Sequence, residues 1–163
     1  SDVIKEQMDK GLIDLGLLLE PIEMDRYNYF IVSVKENWCV LVPADSKLAD
    51  KKAITSSDIR NERFILPRRS TVKNELSSWF GTDITKLNNV ASHNLNKNSA
   101  VMVAKGIGIS LSIETEILKN FPVIKAIPLK PELTARTVVA WKKNIPMNTA
   151  TTKFIDFLTA KNR

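Results

Sequence analysis

The chain is short of the residues from which most enzyme and metal sites are built. Its 163 residues include one cysteine, Cys39, and one histidine, His93. A single thiol cannot close an internal disulfide, and one histidine far from one cysteine does not make a metal site, which needs clustered ligands. No Gly-x-Ser-x-Gly nucleophile elbow is present, and the carboxylates are dispersed among lysines without a paired arrangement. Catalysis, a resident cofactor and a bound metal are therefore not expected. No apolar run approaches the ~20 residues that cross a bilayer, and Ser1-Asp2 opens a polar, helix-like segment in place of a signal peptide. No membrane partner is expected, and the lone thiol suits a reducing cytoplasm. Glycine is scarce as well, with five residues in all. Two of these form the triplet Gly106-Ile107-Gly108, but a dinucleotide fingerprint needs a third glycine where this chain has Leu111. The triplet also follows a helical pattern and opens a strand, the reverse of that fingerprint. Helix termination and close packing are the roles expected of it.

What is abundant is lysine. Lys and Arg number 24 against 18 Asp and Glu, a net charge of +6. The basic residues are scattered instead of gathered on one face, and no helix-turn-helix, zinc ligand set or aromatic-rich sheet motif accompanies them. Solvated lysines and a mild preference for small anionic ligands are the reading, not a DNA-reading surface. With 44% hydrophobic and 26% charged residues, the composition is that of an ordinary globular domain.

Apolar periodicity then sets out the elements. A first helix capped by Ser1 or Asp2 runs to about residue 10, with Val3, Ile4 and Met8 inward and Gly11 stopping it. Residues 13–19 (IDLGLLL) form a near-continuous apolar strand of the kind covered on both faces. Strands over 29–34 and 38–42 are joined by a polar turn at 35–37, and Cys39 is a small buried hydrophobe within the second. Leu48, Ala49 and Ile54 anchor a polar stretch, a short helix begins near Ser56 or Ser57, and residues 63–66 form a strand closed by Pro67. A helix over 71–80 carries Val72, Leu76, Trp79 and Phe80 and ends at Gly81. Further on come a short helix over 114–120, a strand over 123–129 placed at an edge by Pro128, and a β-branched strand over 137–141. The last helix, 149–160, presents Ala150, Phe154, Phe157 and Leu158.

The centre of the pattern is residues 90–114. A strand over 87–92, a helix ended by Gly106 and a strand over 107–111 make a parallel β-α-β unit. In such sheets ligands bind outside the carboxyl ends of the strands, near helix N-termini. Residues 92–96 are therefore the first place to seek a small molecule.

Several segments, in order, resemble the effector-binding domain of LysR-type transcriptional regulators. They are Gly11-Leu12-Ile13-Asp14-Leu15-Gly16, Val40-Leu41-Val42-Pro43-Ala44-Asp45-Ser46-Lys47-Leu48-Ala49, Glu62-Arg63-Phe64-Ile65-Leu66, Val103-Ala104-Lys105-Gly106-Ile107-Gly108-Ile109, Val139-Ala140-Trp141-Lys142-Lys143 and Phe154-Ile155-Asp156-Phe157-Leu158. The resemblance implies an α/β fold of two Rossmann-like lobes of the type II periplasmic-binding-protein kind, with two crossover strands and an effector cleft between the lobes. Residues 1–42 plus 138–163 would form lobe one and residues 43–137 lobe two. Where members usually carry a proline after the glycine turn, this chain has Ser112-Ile113. The winged helix-turn-helix, linker helix and first strand-helix-strand of the family are absent. DNA would be met only through that absent helix-turn-helix, and lobe one would lack a strand beside residues 13–19. Association as a homodimer or higher oligomer, or with the missing piece, is expected in consequence.

The resemblance also implies an effector held by hydroxyls, amides and free backbone N–H groups at helix N-termini. Arg69, Ser70 and Thr71 after one strand, and Ser92, His93 and Asn94 after another, match by position, and such groups suit a carboxylate or phosphate. Taken singly, Ser70 or Thr71, and Asn94 or Asn96, read first as helix caps. His93 is readable as an imidazolium partner of an anion or as a turn residue. Arg68 and Arg69 could clamp a carboxylate, although neighbours on extended backbone point opposite ways. The expected role is a cytoplasmic effector sensor for a small anion. A solute-binding module of a transport system with the same fold is the alternative.

Overall fold

The computed structural model describes residues 2–32, 35–115, 118 and 121–160. In chain order the elements are α1 (Asp2–Asp9), β1 (Leu15–Leu19), β2 (Tyr27–Ile31), β3 (Glu36–Pro43), α2 (Ser56–Ile59), β4 (Phe64–Pro67), α3 (Ser70–Phe80) and β5 (Asn89–His93). They continue with α4 (Asn96–Ala104), β6 (Ile109–Ile113), β7 (Ile124–Pro128), β8 (Thr134–Ala135), β9 (Thr137–Lys142) and α5 (Thr149–Ala160). The helix expected over 114–120 falls on a stretch in which 116, 117, 119 and 120 lie outside the described residues. The chain divides into two compact units, Ser1–Val34 with Arg136–Arg163, and Lys35–Ala135. The boundary expected after Val42 thus falls before β3, because every residue of that strand pairs within the second unit. For the same reason β2 and β3 are not the hairpin read from the polar turn between them: they belong to different sheets.

The first unit is built on a three-stranded antiparallel sheet, order β1-β9-β2. Helix α1 packs on one face around Met8, Leu18, Tyr27, Val138 and Ala140. Gly16 makes the close approach possible: a Cβ there would lie 2.5 Å from Ile4 Cγ2. Three expectations are corrected here. Val3 is exposed, and it is Lys5 that turns inward, where it forms an ion pair with Glu23. Strand β1 is not covered on both faces: Leu17 is 58% exposed, and among the described residues β1 pairs with β9 alone. Helix α5 buries Thr151 and Ile155, not Phe154 and Phe157, which are exposed. Its rotation is set by polar anchors. Asp14 Oδ2 accepts from Thr151 Oγ1 and from Asn148 Nδ2, both at 2.7 Å, while Asn148 Oδ1 caps the helix by accepting from Thr151 N. The apolar count along the helix carried no information about that carboxylate.

The second unit has a sheet of order β5-β4-β6-β3-β7 with β8 paired to the start of β3. Strands β5, β4 and β6 are parallel, and β3 runs antiparallel to β6 and β7. The central β-α-β unit is present, but its two strands flank β4 instead of pairing with each other, so α4 crosses over one strand. Gly106 ends the α4 segment with φ +71°, the left-handed conformation that favours glycine. Gly108 serves a different need, since a Cβ there would stand 2.4 Å from the Arg63 carbonyl oxygen. Side chains alternate between the faces. Cys39, Leu41 and Ile65 meet Ala100 and Val103 of α4. Phe64 turns the other way and meets Phe80 of α3 edge-on, with ring centroids 5.7 Å apart. Burial pushes the Cys39 thiol up to about 12, with the Glu114 carboxylate adding to the effect, so it stays an inert thiol.

Two measurements follow from this packing. Gly108→Ala should lower stability by about 1–3 kcal/mol in thermal or urea unfolding, because the new methyl meets backbone that cannot give way. Gly106→Asn, with an open site and a residue that tolerates the left-handed conformation, should cost less. A near-neutral Gly108→Ala would show that β6 can slide away from Arg63. For Lys5 and Glu23, burial is the largest single effect and raises the carboxyl, but the hydrogen bond from Lys5, a backbone hydrogen bond and the Lys5 and Arg26 charges together outweigh it, and the net shift of Glu23 is downward. Its contribution is therefore whole above the ordinary carboxyl range and lost as pH falls through the lowered value. The melting-temperature gap between the native chain and Glu23→Gln should narrow in acid.

Candidate functional site

In the second unit, β4 and β5 end level with each other. Pro67 is in register with His93, and the Arg68 N–H donates to the His93 carbonyl at 2.9 Å. This bond places the two segments singled out in the sequence, 69–71 and 92–94, side by side where α3 and α4 begin. Both helices start from extended residues, Arg69 and Leu95, and neither has a side-chain cap. Caps occur elsewhere in the chain. Ser46 Oγ accepts from Leu48 N, Asp83 Oδ1 from Thr85 N and Asn148 Oδ1 from Thr151 N. At the start of α2 the Asp58 carboxylate accepts from both Thr55 N and Thr55 Oγ1. The reading of Ser70, Thr71, Asn94 or Asn96 as side-chain caps is thereby set aside. At α3 and α4 the first-turn N–H groups, which have no acceptor within their own helix, are not covered by a local side chain.

Around these two starts the six expected residues differ in character. Ser70, Ser92 and Asn94 are exposed, while Arg69 and Thr71 are half-buried. Arg68 is exposed, so the two arginines do not share one environment. Ser92 and His93 point to opposite faces of β5, as strand alternation requires. His93 is not the turn residue expected: it ends β5 and is only 5% exposed. Its Nε2 lies 3.4 Å from Ser110 Oγ, and that hydroxyl also donates to the Ile65 carbonyl. Burial draws the His93 pKa below its usual value, opposed in part by the Leu95 backbone. That burial disfavours the imidazolium form of the ring in the chain as it stands.

The structure also draws attention to residues that the sequence did not single out. Buried polar atoms with no hydrogen-bond partner include Thr71 Oγ1, His93 Nδ1, Trp38 Nε1 and Thr115 Oγ1. Native proteins leave few such atoms, and an unexplained one marks a place for water or a ligand. Trp38 pairs with Ile113, the last residue of β6, Thr115 follows two residues later, and Thr71 and His93 stand at the ends of β4 and β5. All four thus lie at the carboxyl edge of the parallel strands. The only sequence signal for Trp38 was an indole within an apolar strand, where its N–H needs a partner. A cavity of about 530 Å³ opens beside Thr115, bordered by Asn37, Glu114, Leu118 and Ala126. Among the described residues, no group of three or more His, Cys, Asp or Glu could hold a metal ion, and no helix is long and apolar enough to cross a membrane.

Comparison with known proteins bears on the fold and the family. The chain superposes on the effector-binding domain of QuiR in complex with shikimate with a TM-score of 0.84, at 18% identity, covering 97% of this chain and 76% of that one. On the Synechocystis PCC6803 CcmR regulatory domain in complex with 2-PG the TM-score is 0.78, at 21% identity and with 97% and 77% covered. These likenesses show the fold, which is the type II periplasmic-binding-protein-like fold of such domains. In sequence the chain is 28% identical over 134 residues to the HTH-type transcriptional regulator YtlI of Bacillus subtilis (strain 168), 79% of this chain and 42% of that protein. The chain therefore spans less than half the length of that regulator. The family model of the LysR substrate binding domain matches residues 1–163, and the chain belongs to that family.

Proposed function

We propose that this chain is the effector-sensing part of a LysR-type regulator and that its effector is a small oxyanion, a carboxylate or a phosphate. The observation that carries the reading is the pair of uncapped helix starts tied together by the Arg68–His93 backbone bond. Their N–H groups and helix dipoles favour negative charge, and Ser70, Thr71, Ser92 and Asn94 supply hydroxyl and amide groups around it. Arg69 adds positive charge at the start of α3. The similar domains described with shikimate and with 2-PG support a small-molecule effector. The family is one of transcriptional regulators, not an enzyme class. In the whole protein, effector binding would bias the arrangement of DNA-binding heads in a cytoplasmic homodimer or higher oligomer.

Two experiments test this reading. Calorimetry with inorganic phosphate and with shikimate should show binding to the native chain and weaker binding to the double variant Ser92→Ala with Thr71→Val. Each lost hydrogen bond to a charged ligand is worth about 1 kcal/mol or more, so the combined loss should exceed tenfold. Unchanged affinity would place the site elsewhere. The chain alone should also give no sequence-selective DNase footprint at raised salt, since scattered lysines support only salt-sensitive phosphate contacts. A footprint that survives salt would return DNA recognition to this domain.

A further inference from the structure

Trp38 is 4% exposed, yet its indole N–H has no hydrogen-bond partner. Leaving a buried donor unmet is costly, and no group among the described residues answers it. Register fixes where the ring stands. Trp38 lies opposite Ile113, and Leu41 lies opposite Ser110, which is itself level with Ile65. Leu41 and Ile65 belong to the face covered by α4. Alternation then puts Trp38 on the other face, that of Phe64, which meets Phe80 of α3. Thr71, whose Oγ1 is likewise buried and without a partner, is in the first turn of that same α3. The two donors therefore share one face and one edge of the sheet. They are separated by the width of β6, two strand spacings or roughly 10 Å between β4 and β3.

We infer that Trp38 is a ligand-binding and specificity-determining residue, donating its indole N–H to a second acceptor oxygen of the effector. The inference rests on the anion site proposed above and narrows its ligand. A bare phosphate seated at the start of α3 cannot also reach across β6. An organic oxyanion can, with its charged group at Ser70 and Thr71 and a hydroxyl, carbonyl or second carboxylate oxygen at Trp38.

The test uses the chain labelled with ¹⁵N throughout, titrated with phosphate, shikimate and malate. The Trp38 indole signal is identified as the one absent from Trp38→Phe. Shikimate or malate should move both this signal and the backbone amides of Ser70 and Thr71, whereas phosphate should move the amides alone. Trp38→Phe, which keeps an aromatic ring and removes the donor, should weaken the organic anion about five- to tenfold. Its affinity for phosphate should stay within about twofold, which also shows that the variant is folded. If the organic anions move the Ser70 and Thr71 amides while the indole signal and the Trp38→Phe affinity stay unchanged, the role of Trp38 is overturned and the anion site stands. If the amides fail to respond to any of the three, or only the indole responds, the two-point contact is overturned together with the anion site.

Discussion

Parallel pairing of β4 with both β5 and β6 is the constraint on which the candidate site depends. It brings three strands to one carboxyl edge and starts two helices there, and it is possible only because β6 can enter close beside Arg63. Gly108 has no Cβ to collide with that carbonyl, and the Ile109 N–H bonds to it at 2.8 Å. On the other flank, the Arg68–His93 bond keeps the ends of β4 and β5 level. With the edge set in this way, the first-turn N–H groups of α3 and α4 open on the same side. The polar atoms left unmet at Trp38, Thr71, His93 and Thr115 collect along the same line.

Charge is arranged more locally than the net +6 suggests. Several of the excess cations are engaged in surface pairs, such as Lys10 with Glu6 and Lys51 with Asp58, and contribute little to any ligand field. The one histidine at the proposed site is buried, which disfavours its charged form, so the proposed attraction for an anion would rest on backbone N–H groups and Arg69. That arrangement favours recognition by hydrogen-bond geometry over bulk electrostatics, and it is less sensitive to salt than a cluster of exposed lysines.

In the first unit polar contacts decide orientation where apolar patterning is ambiguous. Asp9 accepts from Arg26 at 2.6 Å and from the Tyr27 hydroxyl at 3.2 Å, tying α1 to β2. Lys5 reaches Glu23, and Asp14 draws Thr151 and Asn148 toward β1. The consequence is a helix α5 that turns Phe154 outward and a strand β1 that leaves Leu17 exposed. Both are features of a sheet whose helix packing is set by ion pairs and caps as much as by apolar area.

Much of this architecture could be read from residue order alone. Strand and helix positions followed from local periodicity, and Gly11, Gly81 and Gly106 all adopt the positive φ that their place after a helix required. The fold class came from the order of short motifs, residues 92–96 came from the rule that ligands meet helix starts beyond strand ends, and the pairing of 69–71 with 92–94 came from the family resemblance. These are local properties, encoded within a few residues of where they act. What only the tertiary structure decided involves partners distant in sequence. The sheet order that slips β4 between β5 and β6 is of this kind, as is the assignment of β3 to the second unit. The burial that lowers the His93 pKa is of this kind as well, and the rotation of α5 depends on Asp14, 137 residues from Thr151. The unmet indole of Trp38 belongs here too. A hydrogen-bond deficit is a statement about everything that surrounds a group, and no stretch of sequence contains its own surroundings.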